Sequence, residues 1–197
     1  MTSRSRILAL GTAALAASGL LVLASLPNSA EAAISVIGPG PAETCYDAAE
    51  NGRDASDYII YCTQALNSVL STHDRAATYI NRGVLKLSLS MTNDALADFD
   101  AGLALDPALG EGYIDRGASL IAKRRFADAI ESIDKGLSLG AKHPNIAYYD
   151  RAIADEALGD IQGAYKDYRQ ALELAPDFAL ASEELKRFKV VKKNEGS

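Results

Sequence analysis

A block of five residues recurs along this chain at a nearly fixed interval, and no other feature restricts its fold so strongly. Tyr79-Ile80-Asn81-Arg82-Gly83 returns after 34 residues as Tyr113-Ile114-Asp115-Arg116-Gly117, and 35 residues later as Tyr148-Tyr149-Asp150-Arg151-Ala152. A second block keeps step with the first: Asp94-Ala95-Leu96-Ala97-Asp98-Phe99, Asp128-Ala129-Ile130-Glu131-Ser132-Ile133 and Gly163-Ala164-Tyr165-Lys166-Asp167-Tyr168. Within each block the small and apolar residues fall three and four apart, which places them on one face of a helix. Turns such as Met91-Thr92-Asn93 and Gly159-Asp160 separate the blocks, so each unit is a pair of helices. A unit of this size cannot bury its apolar face alone; stacking on a neighbour completes the core.

These residues resemble the tetratricopeptide repeat, whose signature combines an aromatic start, a small residue in the first helix, a small and a large residue in the second, and a closing proline. Tyr79, Tyr113 and Tyr148 stand at the aromatic start; Gly83, Gly117 and Ala152 at the small position. Ala95, Ala129 and Ala164 fill the small place of the second helix, Phe99, Ile133 and Tyr168 the large one, and Pro107 and Pro176 the closing place. Ala141 departs from that last pattern, beside the extra residue of Gly140-Ala141-Lys142-His143-Pro144. The resemblance implies an all-α, right-handed α-solenoid of helix-turn-helix repeats. The units read as 76–109, 110–144 and 145–178, with a divergent first repeat over 43–75. An amphipathic capping helix is expected over 179–193, followed by a tail at 194–197.

The N-terminal end reads differently. Arg4 and Arg6 precede an uncharged run from Ile7 to Leu26, then Pro27 and Ala30-Glu31-Ala32, the pattern of a secretory signal peptide over 1–32. The competing reading is an uncleaved membrane anchor, since a run of this length is close to what spans a bilayer. Residues 33–42, with Gly38-Pro39-Gly40-Pro41, read as a flexible leader. Removal of residues 1–32 would take the formal charge from −6 to −7 by the loss of Arg4, Arg6 and Glu31. An acidic chain lacks the basic face that phosphate contact needs, so nucleic acid is not an expected partner. The basic cluster Lys186, Arg187, Lys189, Lys192 and Lys193 reads as a solvated helix end.

Cys45 and Cys62 are the chain's two cysteines. An even count in an exported protein points to a disulfide, which would clamp the first repeat; two buried thiols are the alternative. Chemistry has little to rest on. There are two histidines, His73 and His143, both at unit boundaries, and no H-E-x-x-H, G-x-S-x-G or P-loop motif. His73 reads as an exposed or capping residue. Carboxylates such as Asp94, Asp98, Asp100, Asp128, Glu131 and Asp134 fall at helical spacing, as a solvated face does. No enzyme activity and no cofactor are expected.

In the family resembled, first helices line a concave face. That implies a protein-binding groove of Ala77, Ile80, Asn81, Val84 and Ser88, then Glu111, Ile114, Asp115, Ala118 and Ala122, then Ile146, Tyr149, Asp150, Ile153 and Glu156. Because Asp115 and Asp150 are acidic, the expected partner is an apolar peptide carrying Lys or Arg, with Asn81 bonding its backbone and Tyr149 as the aromatic anchor. Arg82, Arg116 and Arg151 are expected to bury their stems between helices and pair with a carboxylate of the neighbouring unit, such as Asp98, Asp100 or Asp134, in preference to forming a ligand ladder. The alternative function is a structural subunit that self-assembles, or packs in an envelope complex, through convex or terminal surfaces.

Overall fold

The computed structural model describes residues 5–9 and 40–192, with side chains described over 40–189. The leader segments expected over 1–32 and 33–42 otherwise lie outside the described residues, as does the 194–197 tail. The chain divides into two units, 19–143 and 144–197 with 1–18, and each is taken by itself.

The first unit holds three helical hairpins. Helices α1 (Pro41–Glu50) and α2 (Ala55–Leu66) form the first, α3 (Thr72–Ser88) and α4 (Thr92–Leu105) the second, α5 (Gly110–Ala122) and α6 (Phe126–Ser138) the third. The second unit holds α7 (Pro144–Leu158) and α8 (Ile161–Leu174), then the short α9 (Ala179–Leu185). The fold is all-α and built from helical repeats. Local chemistry starts several of these helices. Asp54 caps α2 by accepting the Ser56 amide at 3.0 Å, Ser71 caps α3 by accepting that of Asp74 at 3.0 Å, and Asp160 caps α8 by accepting that of Gly163 at 2.9 Å. Pro41 and Pro144 open α1 and α7, where a missing N–H breaks no helical bond. Pro107 and Pro176 lie in the turns before α5 and α9 and not in the first helical turn.

Three hairpins close with one backbone device. Ser90, Arg124 and Gly159 all take a positive φ, at 60°, 60° and 88°. In each case that residue's amide, and the next one, reach back to the end of the first helix: Ser90 to Leu87 and Met91 to Lys86, Arg124 to Ile121 and Arg125 to Leu120, Gly159 to Glu156 and Asp160 to Asp155. Side chains differ completely while the backbone repeats. The left-handed region suits glycine, so Ser90 and Arg124 hold it at some cost.

Close helix pairing rests on small residues. A Cβ placed on Gly83 would lie 2.5 Å from the Phe99 ring, and one on Gly117 would lie 2.5 Å from Ile133. On the facing helices, a Cβ on Gly102 would lie 2.7 Å from Ile80, and one on Gly136 2.5 Å from Ile114. Ala152 and Ala171 stand at the matching places of the α7–α8 hairpin, beside the larger Tyr168. In the first hairpin the bond between Cys45 and Cys62 joins α1 to α2, with Cα atoms 4.8 Å apart. Both cysteines are fully buried in a core that is otherwise mostly alanine near the chain's start: Ala42, Ala48, Ala49, Ala55 and Ala65.

Several boundaries need correction: α1 begins at Pro41, inside the expected leader, and α3 at Thr72, inside the expected first repeat. The capping helix expected over 179–193 stops at Leu185, and Phe188–Lys192 is extended, as strand β2. Phe188 turns back into the core, its ring centroid 5.8 Å from that of Tyr165 and 5.9 Å from that of Tyr168. Beyond it, the β-branched pair Val190-Val191 favours extended backbone over helix. Residues Ser5–Ala9 (β1) pair antiparallel with this strand, Ala9 opposite Phe188 and Ser5 opposite Lys192.

Candidate functional site

The recurring Tyr-x-x-Arg block is explained by an ion pair inside the hairpin. Arg82 on α3 donates through Nε and Nη2 to both oxygens of Asp98 on α4, at 2.8 and 2.7 Å. Arg151 on α7 does the same to Asp167 on α8, at 2.6 and 3.0 Å. The separation is 16 residues in both. Each guanidinium also lies over the tyrosine one turn earlier, Arg82 at 5.5 Å from the Tyr79 ring centre and Arg151 at 5.2 Å from that of Tyr148. Lys86 adds a second cation to Asp98 at 2.7 Å. The Asp98 carboxylate holds the Arg82 guanidinium above its ordinary pKa.

Arg116 breaks the pattern. Sixteen residues on from it stands Ser132, whose hydroxyl donates to the Tyr113 carbonyl at 2.9 Å. Arg116 turns back to the preceding hairpin, where Nε meets the exposed Asp100 at 2.7 Å. Arg116 thus meets a carboxylate of the neighbouring repeat, as expected, whereas Arg82 pairs with Asp98 and Arg151 with Asp167 inside their own hairpins, and Asp167 was not among the partners expected.

The residues expected to line a groove are mostly buried. Ala77, Ile80 and Asn81 are fully so, and Val84, Glu111, Ile114, Asp115, Tyr149 and Asp150 nearly so; Ala118, Ile146 and Ile153 are half-buried. Several have work inside the fold. Ile80 packs into the space left by Gly102 and Gly112, and Ile114 into that left by Gly136. Glu111 accepts the backbone amides of Lys142 and His143 and so ties down the connector after α6. The expectation of Tyr149 as an exposed anchor is corrected: it is 5% exposed. Its ring centroid lies 5.6 Å from that of Tyr168 and 5.2 Å from that of Phe178. This aromatic packing raises its hydroxyl to about 12, chiefly by burial. Tyr148 is the half-buried one, under Arg151. Burial also pushes the Asp150 carboxyl up to about 7.

The two histidines meet carboxylates at the unit boundaries. His73 Nδ1 lies 2.7 Å from Asp106, whose carboxyl the contact holds below its ordinary range. His143 Nδ1 lies 3.4 Å from Glu111. Capping of α3 falls to Ser71, not to His73. Among the described residues no three His, Cys, Asp or Glu side chains are arranged to hold a metal ion, and no helix is long and apolar enough to cross a membrane.

Open surfaces among the described residues include an apolar patch and a polar cleft. The outer side of α2 exposes Ile60 and Tyr61, and the following loop exposes Val69 completely. On the third hairpin a cleft of about 620 Å³ is lined by Tyr113, Arg116, Arg125, Ser132 and Lys135 together with carboxylates. Neither was visible beforehand. The 16-residue interval between Arg and Asp was available in the sequence, however, and it marks Ser132 as the exception.

Residues 146–178 match the tetratricopeptide repeat family. The Ethylene-overproduction protein 1 of Arabidopsis thaliana is 28% identical over 124 residues, which cover 63% of this chain and 12% of that protein. This chain thus spans a small part of that relative's length. The first TPR of Spaghetti (RPAP3), solved bound to HSP90 peptide SRMEEVD, is 25% identical with a TM-score of 0.54, over 57% of this chain and 88% of that one. MamA from Desulfovibrio magneticus is alike in fold, with a TM-score of 0.58 at 17% identity over 72% of this chain and 77% of that one.

Proposed function

We propose that this chain is a non-enzymatic scaffold that binds another polypeptide, exported to the bacterial cell envelope after loss of its first 32 residues. The observation that carries the binding role is the array of small-residue-paired hairpins, one of which matches the tetratricopeptide repeat. A similar domain, the first TPR of Spaghetti, was solved holding a peptide. Support for export comes from the charged, apolar and small-residue succession of residues 1–32 and from the Cys45–Cys62 bond, since such bonds persist in oxidising compartments.

The binding surface we propose is the inner face of the first helices of the first unit, α3 and α5. Asn81 and Asp115 lie beneath this face, buried or nearly so, and the acidic character of Asp115 suits an apolar segment carrying Lys or Arg and not a peptide with an acidic end. A photo-crosslinking residue at Ser88, exposed at the end of α3, and a second one at Ile60 on α2 separate the possible surfaces in the full-length chain. Crosslinks from Ser88 to one defined protein, competed by a Lys-containing apolar peptide, are the expected result. Absence of any competed crosslink from Ser88 would overturn the groove.

A second reading has its own observation. Ile60 is 52% exposed and Val69 wholly exposed beside Tyr61, an apolar terminal face of the kind that stacking proteins bury. Self-crosslinks from Ile60, with a sedimentation coefficient that rises with concentration and falls in Ile60→Asp, would favour a self-assembling subunit.

A further inference from the structure

We infer that the cleft beside Arg116 and Ser132 on the third hairpin is a second contact site, one that takes an acidic side chain of a partner polypeptide. The reasoning is internal to the chain. In two hairpins an Asp carboxylate, Asp98 or Asp167, bridges the helix pair by accepting two hydrogen bonds from the first-helix arginine. In the third, Ser132 occupies the Asp position and its hydroxyl is committed to the Tyr113 carbonyl. Serine is shorter and neutral. What remains is a cleft of about 620 Å³ with Arg116 and Ser132 both on its wall.

Arg116 is half used. Its Nε is engaged by Asp100, an exposed carboxylate, and among the described residues its two terminal nitrogens make no hydrogen bond. A guanidinium presents its donors as a fork that fits a carboxylate, and the two sister hairpins show what that fork accepts in this fold. Of the other charges on the wall, Arg125 is held by Asp128 at 2.6 Å, and Lys135 stands with Glu131 and Asp134. The lining itself holds three cations and three carboxylates, and Asp100 on Arg116 adds a fourth carboxylate, so selection of an anion falls to the donor fork of Arg116 and not to net charge. The side chains involved are none of those of the proposed groove, so this site stands or falls separately.

The test uses the full-length chain and the arginine Nε–Hε resonance of Arg116, assigned by its loss in Arg116→Gln. Probes are the blocked tripeptide acetyl-Ala-Asp-Ala-amide, its Asn counterpart, and acetate. A saturating shift is expected with the Asp peptide and none with the Asn peptide. In Ser132→Asp, which supplies the missing carboxylate from within, affinity should fall at least tenfold. Equal response to the Asn peptide, or unchanged affinity in Ser132→Asp, would overturn the site. So would saturation by acetate with no response to the peptide, since the place would then admit only small free carboxylates. Should Ser132→Asp fail to fold, Asp100→Asn decides: freeing Nε leaves a complete fork, so the Asp peptide should bind at least as tightly, and loss of binding would refute the assignment.

Discussion

Removing the Cys45–Cys62 bond tests how the first hairpin is held. The bonded residues are 17 apart in sequence; closing a loop of that length lowers the entropy of the unfolded chain by an amount worth about 3 kcal/mol. Helix pairing here has little else to draw on, because the buried residues of α1 and of the start of α2 are mainly alanines. In a stack of repeats the loss falls on the unit that suffers it and on its neighbour, not evenly along the chain. In the double variant Cys45→Ala/Cys62→Ala, amide protection in α1 and α2 should therefore drop by about a hundredfold, as 3 kcal/mol requires. Protection in α5 and α6 should change by less than about threefold, in keeping with that local loss. Residue-resolved hydrogen exchange on both proteins reads this directly. A uniform fall across α1 to α6 would refute the local argument, and a fall of less than about tenfold in α1 would refute the entropic one.

Other consequences are open to measurement. Ser90→Gly and Arg124→Gly relieve a left-handed backbone position and should each stabilise by about 1 kcal/mol, whereas Gly159→Ala should cost a similar amount; urea midpoints decide. Asp98→Ala leaves Arg82 and Lys86 without their shared carboxylate and should cost about 3 kcal/mol, against under ~1 kcal/mol for Asp100→Ala at its exposed pair. Burial raises the Asp150 carboxyl to about 7, above its unfolded value. The folded state therefore holds that proton more tightly, and the native protein loses stability as pH rises from about 4 to 7. Asp150→Asn should show a stability advantage that grows over that range and levels off above it; a constant difference in urea titrations would refute the assignment.

The repeat was legible because its period is written in residue identity, and the family resemblance followed from Tyr79, Gly83, Ala95, Phe99 and their copies. Helix pairing was legible for the same reason: glycine at 83 and 117 has no use in a helix except close approach. The disulfide could be read from an even cysteine count, though not its exclusion of the alternative of two thiols. Side-chain direction was harder. Helical spacing put Ile80, Ile114 and Tyr149 on the inner face, but Gly102, Gly136 and Phe178 draw them into the fold. Those attractions depend on residues 20 or more positions away. The end of α9 was missed because Lys186 to Lys192 alternates charge and apolarity in a way that suits either helix or strand, and the burial of Phe188 decides between them.

The 16-residue interval between paired Arg and Asp and the variable 34- or 35-residue step between units have an evolutionary corollary. A residue gained inside a helix turns everything after it by about 100° and would swing Asp98 or Asp167 away from its arginine. A residue gained in a connector turns nothing within a hairpin. The extra residue of the second step sits in Gly140–His143, outside both flanking helices and anchored by Glu111 through the backbone amides of Lys142 and His143. Length variation among descendants of this chain should accordingly gather at such connectors, and duplication or deletion of whole hairpins should have its breakpoints there.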